Sequence, residues 1–347
     1  MNFYNNMHPY YCGIDLHARL LYVCIVDQDG KTLVHKEISA DKEKLYQILK
    51  PYIGNIVVGV ECMPCWYWVS DYCAEIGVDF ILGHALYMKA IHGGKAKNDR
   101  IDSFKIASLI RGGNFPLAYV YPVEMRATRD LLRRRMKIVQ HGADLKAHVA
   151  NTTSQYNLPP NKVNLKNVSA REQLKATFEN PSVQQSVNLD MVILDCYAEQ
   201  LSKVEWYIQQ QAKQHNPIHF HLLKSVWGIG PILALTIIYE IGDIARFETV
   251  QNFASYSRLV KCKAESAGKS YGTQGNKIGN AHLKWAFSEA AVLYLRGNEG
   301  AKKYLLKLQK RMSKAKALSA LAHKLGRCVY FMLKNETVFD ENKFLKR

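Results

Sequence analysis

Tyr10–Ile38 reads YYCGIDLHARLLYVCIVDQDGKTLVHKEI, and its pattern decides what opens the chain. Tyr10–His17 and Leu20–Asp27 are β-rich runs of aromatic, branched and apolar residues. Asp29-Gly30 is a strong hairpin pair, and Thr32–Ile38 returns as a third strand. One residue breaks the first apolar run. Asp15 is a carboxylate inside a strand, and such a charge is costly unless it is paired or holds a cation.

Strand and helix signals then alternate. Ala40–Tyr52 reads as a helix with Leu45, Ile48 and Leu49 on one face. Asn55–Glu61 (NIVVGVE) reads as a buried strand, Pro64–Ile76 as a helix with proline in its first turn, and Val78–Gly83 as a strand. Asp99–Ile110 is a helix and Leu117–Tyr121 a last strand. Three antiparallel strands followed by this alternation are the order of an RNase H-like (RuvC-like) α/β domain, expected over residues 1–122. Residues 123–215 read as a long helical, coiled-coil segment with a linker. Met125, Leu132, Met136, Val139 and Ala143 recur at heptad-like spacing, and residues 157–181, with three prolines, form the connector. Ser182–Gln214 is the second long helix of this segment, making either an antiparallel hairpin or an arm that pairs subunits. Residues 216–347 form a mainly α C-terminal domain around a Gly-rich loop.

At 347 residues the chain exceeds one ordinary core, and 48% hydrophobic residues argue against disorder. The net charge of +17 is unevenly placed: −1 over residues 1–110, +5 over 111–215 and +13 over 216–347. The last third is therefore the expected polyanion-binding part. No run is apolar and long enough to span a membrane, and the N-terminus lacks a signal-peptide pattern, so a cytoplasmic protein is the expectation. The eight cysteines read as reduced, structural thiols; Cys62-Met-Pro-Cys65 is a lone pair without the second half of a zinc site.

The acidic residues that stand out are Asp15, Glu61, Asp99 and Asp102, in the one part of the chain that is not basic. Glu61 ends a strand, and Asp99 and Asp102 open a helix three residues apart, on one face. Converging carboxylates raise one another's pKa unless a cation joins them. Mg²⁺, a hard ion with oxygen ligands, suits such a quartet and phosphodiester chemistry. The bland reading is that Asp99 and Asp102 cap their helix and Glu61 is an ordinary strand-end charge.

Candidate nucleic-acid-binding residues surround these. Lys95, Lys97 and Arg100 lie beside the carboxylates, and Arg126, Arg129 and Arg133 make a stripe on the long helix. Gly228 and Gly230 belong to WGIGP before a helix, a turn similar to those of helix–hairpin–helix modules, whose backbone N–H groups meet phosphates. In KCKAESAGKSYGTQGNKIGN (residues 261–280), Lys263, Lys269 and Lys277 flank two candidate hydroxyls, Ser266 and Ser270.

In order, GIDLH, GVE, KNDRIDS, WGIGPILALTIIYEIGDIARF, SYSRLV, ESAGKS and GNKIGNAHLKWAFSEAA resemble the DEDD transposases of bacterial insertion sequences, the group that includes the Piv pilin-gene invertase. The resemblance covers nearly the whole chain. It implies a RuvC-like domain, a coiled-coil segment and a C-terminal transposase domain. It further implies a Mg²⁺ site at Asp15, Glu61, Asp99 and Asp102 and a catalytic serine at Ser266, where Ala267 stands in place of the family's usual Gly or Ser. It implies donor and target DNA as partners, a structured guide RNA from the element's non-coding end, and a homo-oligomer (dimer or tetramer) with composite sites. The expected activity is a recombinase that cuts and rejoins strands through a serine–DNA link. Three rivals stand beside it. One is a Holliday-junction resolvase of the same fold acting through metal-activated water. Another is an actin-like kinase, which needs a second phosphate loop this sequence lacks. The third is a non-catalytic nucleic-acid-binding protein.

Overall fold

A computed structural model describes residues 2–91, 98–158, 167–266, 269–274 and 278–346. The chain divides into two compact units, Met1–Val123 and Glu124–Arg347.

The first unit runs β1 (Tyr10–Leu16), β2 (Leu20–Asp27), β3 (Thr32–Ser39), α1 (Lys42–Leu49), β4 (Ile56–Glu61), α2 (Tyr67–Glu75), β5 (Asp79–Gly83), α3 (Ala85–Ile91), α4 (Asp99–Arg111) and β6 (Leu117–Ala118). These strands form one mixed sheet in the order β3-β2-β1-β4-β5-β6. β1, β2 and β3 pair antiparallel, β1, β4 and β5 parallel, and β6 antiparallel to β5. The mixed sheet followed by a helical remainder agrees with an RNase H-like α/β domain ahead of a mainly helical C-terminal part. The first hairpin forms at its Asp-Gly pair: Asp27 Oδ1 accepts from the N–H groups of Asp29 and Lys31, and Gly30 takes φ +86°.

Strand alternation sorts β1 between two cores. Cys12, Ile14 and Leu16 pack with Leu45, Leu49, Val69 and Cys73 of α1 and α2 on one face. Tyr11 packs on the other face with Ile106, Ala107 and Ile110 of α4. Gly13 also meets α4, so closely that a Cβ there would stand 2.3 Å from the backbone nitrogen of Ala107 and carbonyl oxygen of Ser103. Asp15, two residues further along, takes the α4 face too. Helix α4 therefore crosses β1 over Gly13 with its first turn beside Asp15.

The second unit runs α5 (Val123–Gln155), α6 (Val168–Ala176), α7 (Pro181–His215), α8 (Pro217–Lys224), α9 (Pro231–Ile241), α10 (Val250–Tyr256), β7 (Cys262–Ser266), β8 (Lys269–Gln274), α11 (Ala281–Tyr294), α12 (Glu299–Gln309), α13 (Lys314–Asn335) and α14 (Glu341–Leu345). α9 is buried from Leu233 to Ile241 and centres a core with α11 and α13. Arg135–Glu205 and His148–Asp190 ion pairs, and Leu194 and Tyr197 facing Gly142, set α5 and α7 antiparallel.

Three expectations need correction. The heptad seam is not followed: Leu132 is buried, but Val139 and Ala143 are exposed. The span read as a connector, 157–181, contains α6, started by an Asn167 cap. The Gly-rich segment read as a loop contains an antiparallel hairpin, β7–β8. Among the described residues no helix is long and apolar enough to cross a membrane.

Candidate active site

The carboxylates gather where β1 ends and α4 begins. Asn98 caps α4, its side chain accepting from the Ile101 N–H, which leaves Asp99 and Asp102 free of that task. Side-chain capping therefore belongs to Asn98, while both acids lie in the first turn, at the positive end of the helix. His17 Nε2 lies 3.4 Å from Asp15 Oδ2 and 3.5 Å from Asp99 Oδ2. One donor atom from each of Asp15, His17 and Asp99 lies within 4.8 Å of the others. Asp102 pairs with Lys105 at 3.2 Å, one turn on along α4.

Asp15 is the most enclosed of the three residues in this group; its side chain is 17% exposed, against 49% for His17 and 50% for Asp99. Burial raises its pKa; His17 draws it back, and the Asp99 and Asp102 charges raise it further. Asp15, Asp99 and Asp102 thus share one electrostatic neighbourhood. Glu61 ends β4, the parallel neighbour of β1. The register pairs Ile14 with Val60, so Asp15 and Glu61 follow one residue later on adjacent strands. Glu61 is half-buried and stands outside the three-residue group. This donor chemistry, carboxylate oxygens with one imidazole, fits a divalent ion.

Sequence reasoning passed over His17, although it follows Asp15 at the i+2 spacing that places two strand side chains on one face. Of the flanking basic residues, Arg100 is exposed and its carbonyl accepts from His35 Nε2 at 2.9 Å. Lys95 and Lys97 lie outside the described residues.

The arginine stripe is corrected. Arg126 and Arg129 are buried. Arg129 donates to Glu240 Oε2 at 3.2 Å, and Arg133 makes bonds of 2.6 and 2.9 Å to both oxygens of the same carboxylate. Burial alone would raise Glu240's pKa; the Arg133 bonds, the Arg129 and Arg133 charges and Asn280 overcome it and hold the group down at about 2. Arg129 and Arg133 are thus engaged by a buried carboxylate of the protein itself, and Arg126 is buried.

Gly228 takes φ +85°, and a Cβ there would stand 2.5 Å from the backbone nitrogen of Tyr294. Its role is the close approach of this turn to α11. Gly230 starts α9 as its N-cap, with open space around it. Ser266 ends β7, with Lys263 earlier on that strand, while Lys269 opens β8 and is exposed. Lys277 lies outside the described residues. Cys12, Cys24 and Cys73 are buried thiols whose pKa values burial pushes up, to about 11 for Cys24 and about 12 for Cys73, as inert core residues require.

Comparisons with known proteins agree in both units. Residues 12–158 match a family model described as a transposase of the DEDD, IS110 type. Residues 220–306 match a model described as the transposase IS116/IS110/IS902 family. The chain is 22% identical over 342 residues to a "Probable family 20 transposase" of Pseudomonas aeruginosa, spanning 94% of this chain and 97% of that one. It is 21% identical over 339 residues to the "Transposase for insertion sequence element IS1111A" of Coxiella burnetii, spanning 94% and 90%.

Proposed function

We propose that the chain is a transposase of the IS116/IS110/IS902 kind, which cleaves and rejoins DNA, and that its strand-end carboxylates hold Mg²⁺ while Ser266 attacks the DNA backbone. The observation that carries this reading is the meeting of Asp15 and Asp99 on His17, beside Asp102, in a chain otherwise strongly basic. Asp15, Glu61, Asp99 and Asp102 would hold the ion. When bound, it supplies charge to polarise a phosphodiester and to stabilise the leaving oxygen.

The remaining chemistry belongs to the chain's own residues. Ser266 Oγ forms a bond to phosphorus, its proton passes to water, and the bond from phosphorus to the 3′ oxygen breaks. The departing 3′ oxygen takes up a proton as a hydroxyl. The phosphoserine ester retains the energy of the broken link, so attack by a 3′ hydroxyl on it rejoins DNA and frees the serine. Exposed Lys269 on the same hairpin and the +13 charge of residues 216–347 support a grip on donor and target DNA. A structured guide RNA supplies target choice through base pairing in this reading. The antiparallel α5–α7 pair serves as the arm of a dimer or tetramer; Leu189, Val192 and Trp206, all exposed on α7, support that role.

The test uses a labelled DNA duplex carrying the element's end, with the guide RNA and Mg²⁺. Wild-type protein should form a covalent protein–DNA adduct. Ser266→Ala should lose the adduct and retain DNA binding, and Asp15→Asn should lose strand cutting. An adduct that persists in Ser266→Ala removes Ser266 from the chemistry, and cutting that continues in Asp15→Asn removes the quartet.

A further inference from the structure

His17 is the one member of the three-residue group that the quartet does not contain. Its position is well fixed. The His17 N–H donates to the Leu20 carbonyl at 3.0 Å, closing the tight link from β1 to β2, so the imidazole projects from an ordered hairpin. Asp15 stands two residues back, near the end of β1, and Asp99 comes from a capped helix.

Ligands bonded to one ion at about 2.0–2.2 Å lie about 3 Å apart when adjacent and about 4.3 Å apart when opposite. The separations of 3.4 and 3.5 Å from His17 Nε2 to the two carboxylates fall between these values. All three donor atoms also lie within 4.8 Å of one another. Rotamer-scale adjustments therefore suffice to close the three onto one ion. The half-exposed Asp99 and His17 leave its solvent side open to water or phosphate oxygens.

We propose that His17 Nε2 is a third protein ligand of the acidic centre, which thereby takes Mn²⁺ in preference to Mg²⁺. The proposal rests on the reading that these carboxylates bind a divalent ion. Mg²⁺ demands oxygen donors and sheds its waters reluctantly. Imidazole suits transition ions, and Mn²⁺ accepts carboxylate oxygen and imidazole nitrogen together. A centre built from carboxylates alone has no such reason to separate the two ions.

The experiment needs no turnover. Metal-free, full-length protein is titrated with Mn²⁺ alone, following loss of the free-ion EPR signal, and Mg²⁺ affinity is read by competition. Pulsed EPR then reads nitrogen hyperfine coupling on the bound Mn²⁺. Wild-type protein should show the coupling of a directly ligated imidazole. His17→Gln, with its circular dichroism unchanged, should lose that coupling and weaken Mn²⁺ by about tenfold or more, with Mg²⁺ affinity changed by less than about threefold. His17→Asn is the second variant should the first misfold. Mn²⁺ uptake that is lost in Asp15→Asn but shows no nitrogen coupling in wild type would leave the carboxylate site standing and overturn the role of His17. Equal weakening of both ions in His17→Gln would overturn it too. No uptake by wild type, or full uptake by Asp15→Asn, would sink the carboxylate site and this proposal together.

Discussion

Gly13→Ala is a sharp test of how the candidate site is assembled. A Cβ at this position stands 2.3 Å from both the Ala107 nitrogen and the Ser103 oxygen, and 2.9 Å from Ile106 Cβ. The first two are backbone atoms of α4, so no side-chain rotation relieves them. Restoring ordinary contact of about 3.4 Å requires helix and strand to part by about 1 Å, and overpacking of this kind costs about 1–3 kcal/mol. Helix α4 carries Asp99 and Asp102, and β1 carries Asp15. A displacement of about 1 Å between reacting groups costs on the order of 100-fold in rate. Gly13→Ala should therefore fold with modestly reduced urea stability, keep its DNA affinity, and lose about 100-fold in strand cutting in a gel assay of labelled substrate. Gly59→Ala is the control. Its Cβ meets Ile110 Cδ1 at 2.5 Å, the far end of a flexible side chain, so stability should fall with cutting nearly intact. Gly13→Ala protein that cuts within about twofold of wild type would refute the claim that this approach sets the carboxylate geometry.

Three further outcomes follow from the second unit. Glu240→Ala leaves Arg129 and Arg133 without their shared buried carboxylate and should cost about 3–5 kcal/mol in a denaturant titration. Glu240's folded pKa of about 2 lies below its unfolded value, so its contribution is present above about pH 4.5 and is lost as pH falls toward 2. That loss amounts to about 3 kcal/mol, and the acid limb of the thermal transition should flatten by that much in Glu240→Gln. Lys269→Ala should lower the slope of log DNA affinity against log salt by about 0.9 for one phosphate contact, whereas Arg129→Ala should lower stability and leave that slope unchanged.

The parts legible in the sequence were those with local causes. Asp-Gly between apolar runs dictates the first hairpin, and a lone carboxylate in an apolar strand marks Asp15. An Asp-x-x-Asp helix start marks Asp99 and Asp102, which Asn98 relieves of capping. What stayed hidden depends on distant partners. Arg126, Arg129 and Arg133 share a helix face by spacing alone, but Glu240, more than a hundred residues away, draws Arg129 and Arg133 to itself. Val139 and Ala143 keep heptad spacing yet remain exposed, because spacing does not say which neighbour arrives. The β7–β8 hairpin reads CKAES and KSYGTQ, and apart from Tyr271 and Thr273 it lacks the branched and aromatic residues that announce a strand. His17 was masked by its ambiguity, since histidine at a strand end is ordinary until Asp99 arrives from α4.

Three carboxylates in one neighbourhood pose an electrostatic problem that the backbone solves before any ion arrives. Asp99 and Asp102 sit in the first turn of α4, where the helix end favours negative charge. Lys105 neutralises Asp102 from one turn away, and His17 stands between Asp15 and Asp99. Each device is local to β1 or α4, and the contact over Gly13 joins those two elements through main-chain atoms. The relative position of the carboxylates therefore depends on strand–helix packing rather than on a cation drawing mobile loops together. A site held this way spends little binding free energy on ordering its ligands. The same logic governs the second unit. Asn280 caps α11 through its carbonyl oxygen while its amide donates to Glu240, so the helix that follows the β7–β8 segment is tied to the buried arginine network. Glu240 thus fixes the first turn of α11 against Arg129 and Arg133 of α5, and its removal should loosen that turn while leaving the acidic centre of the first unit unchanged.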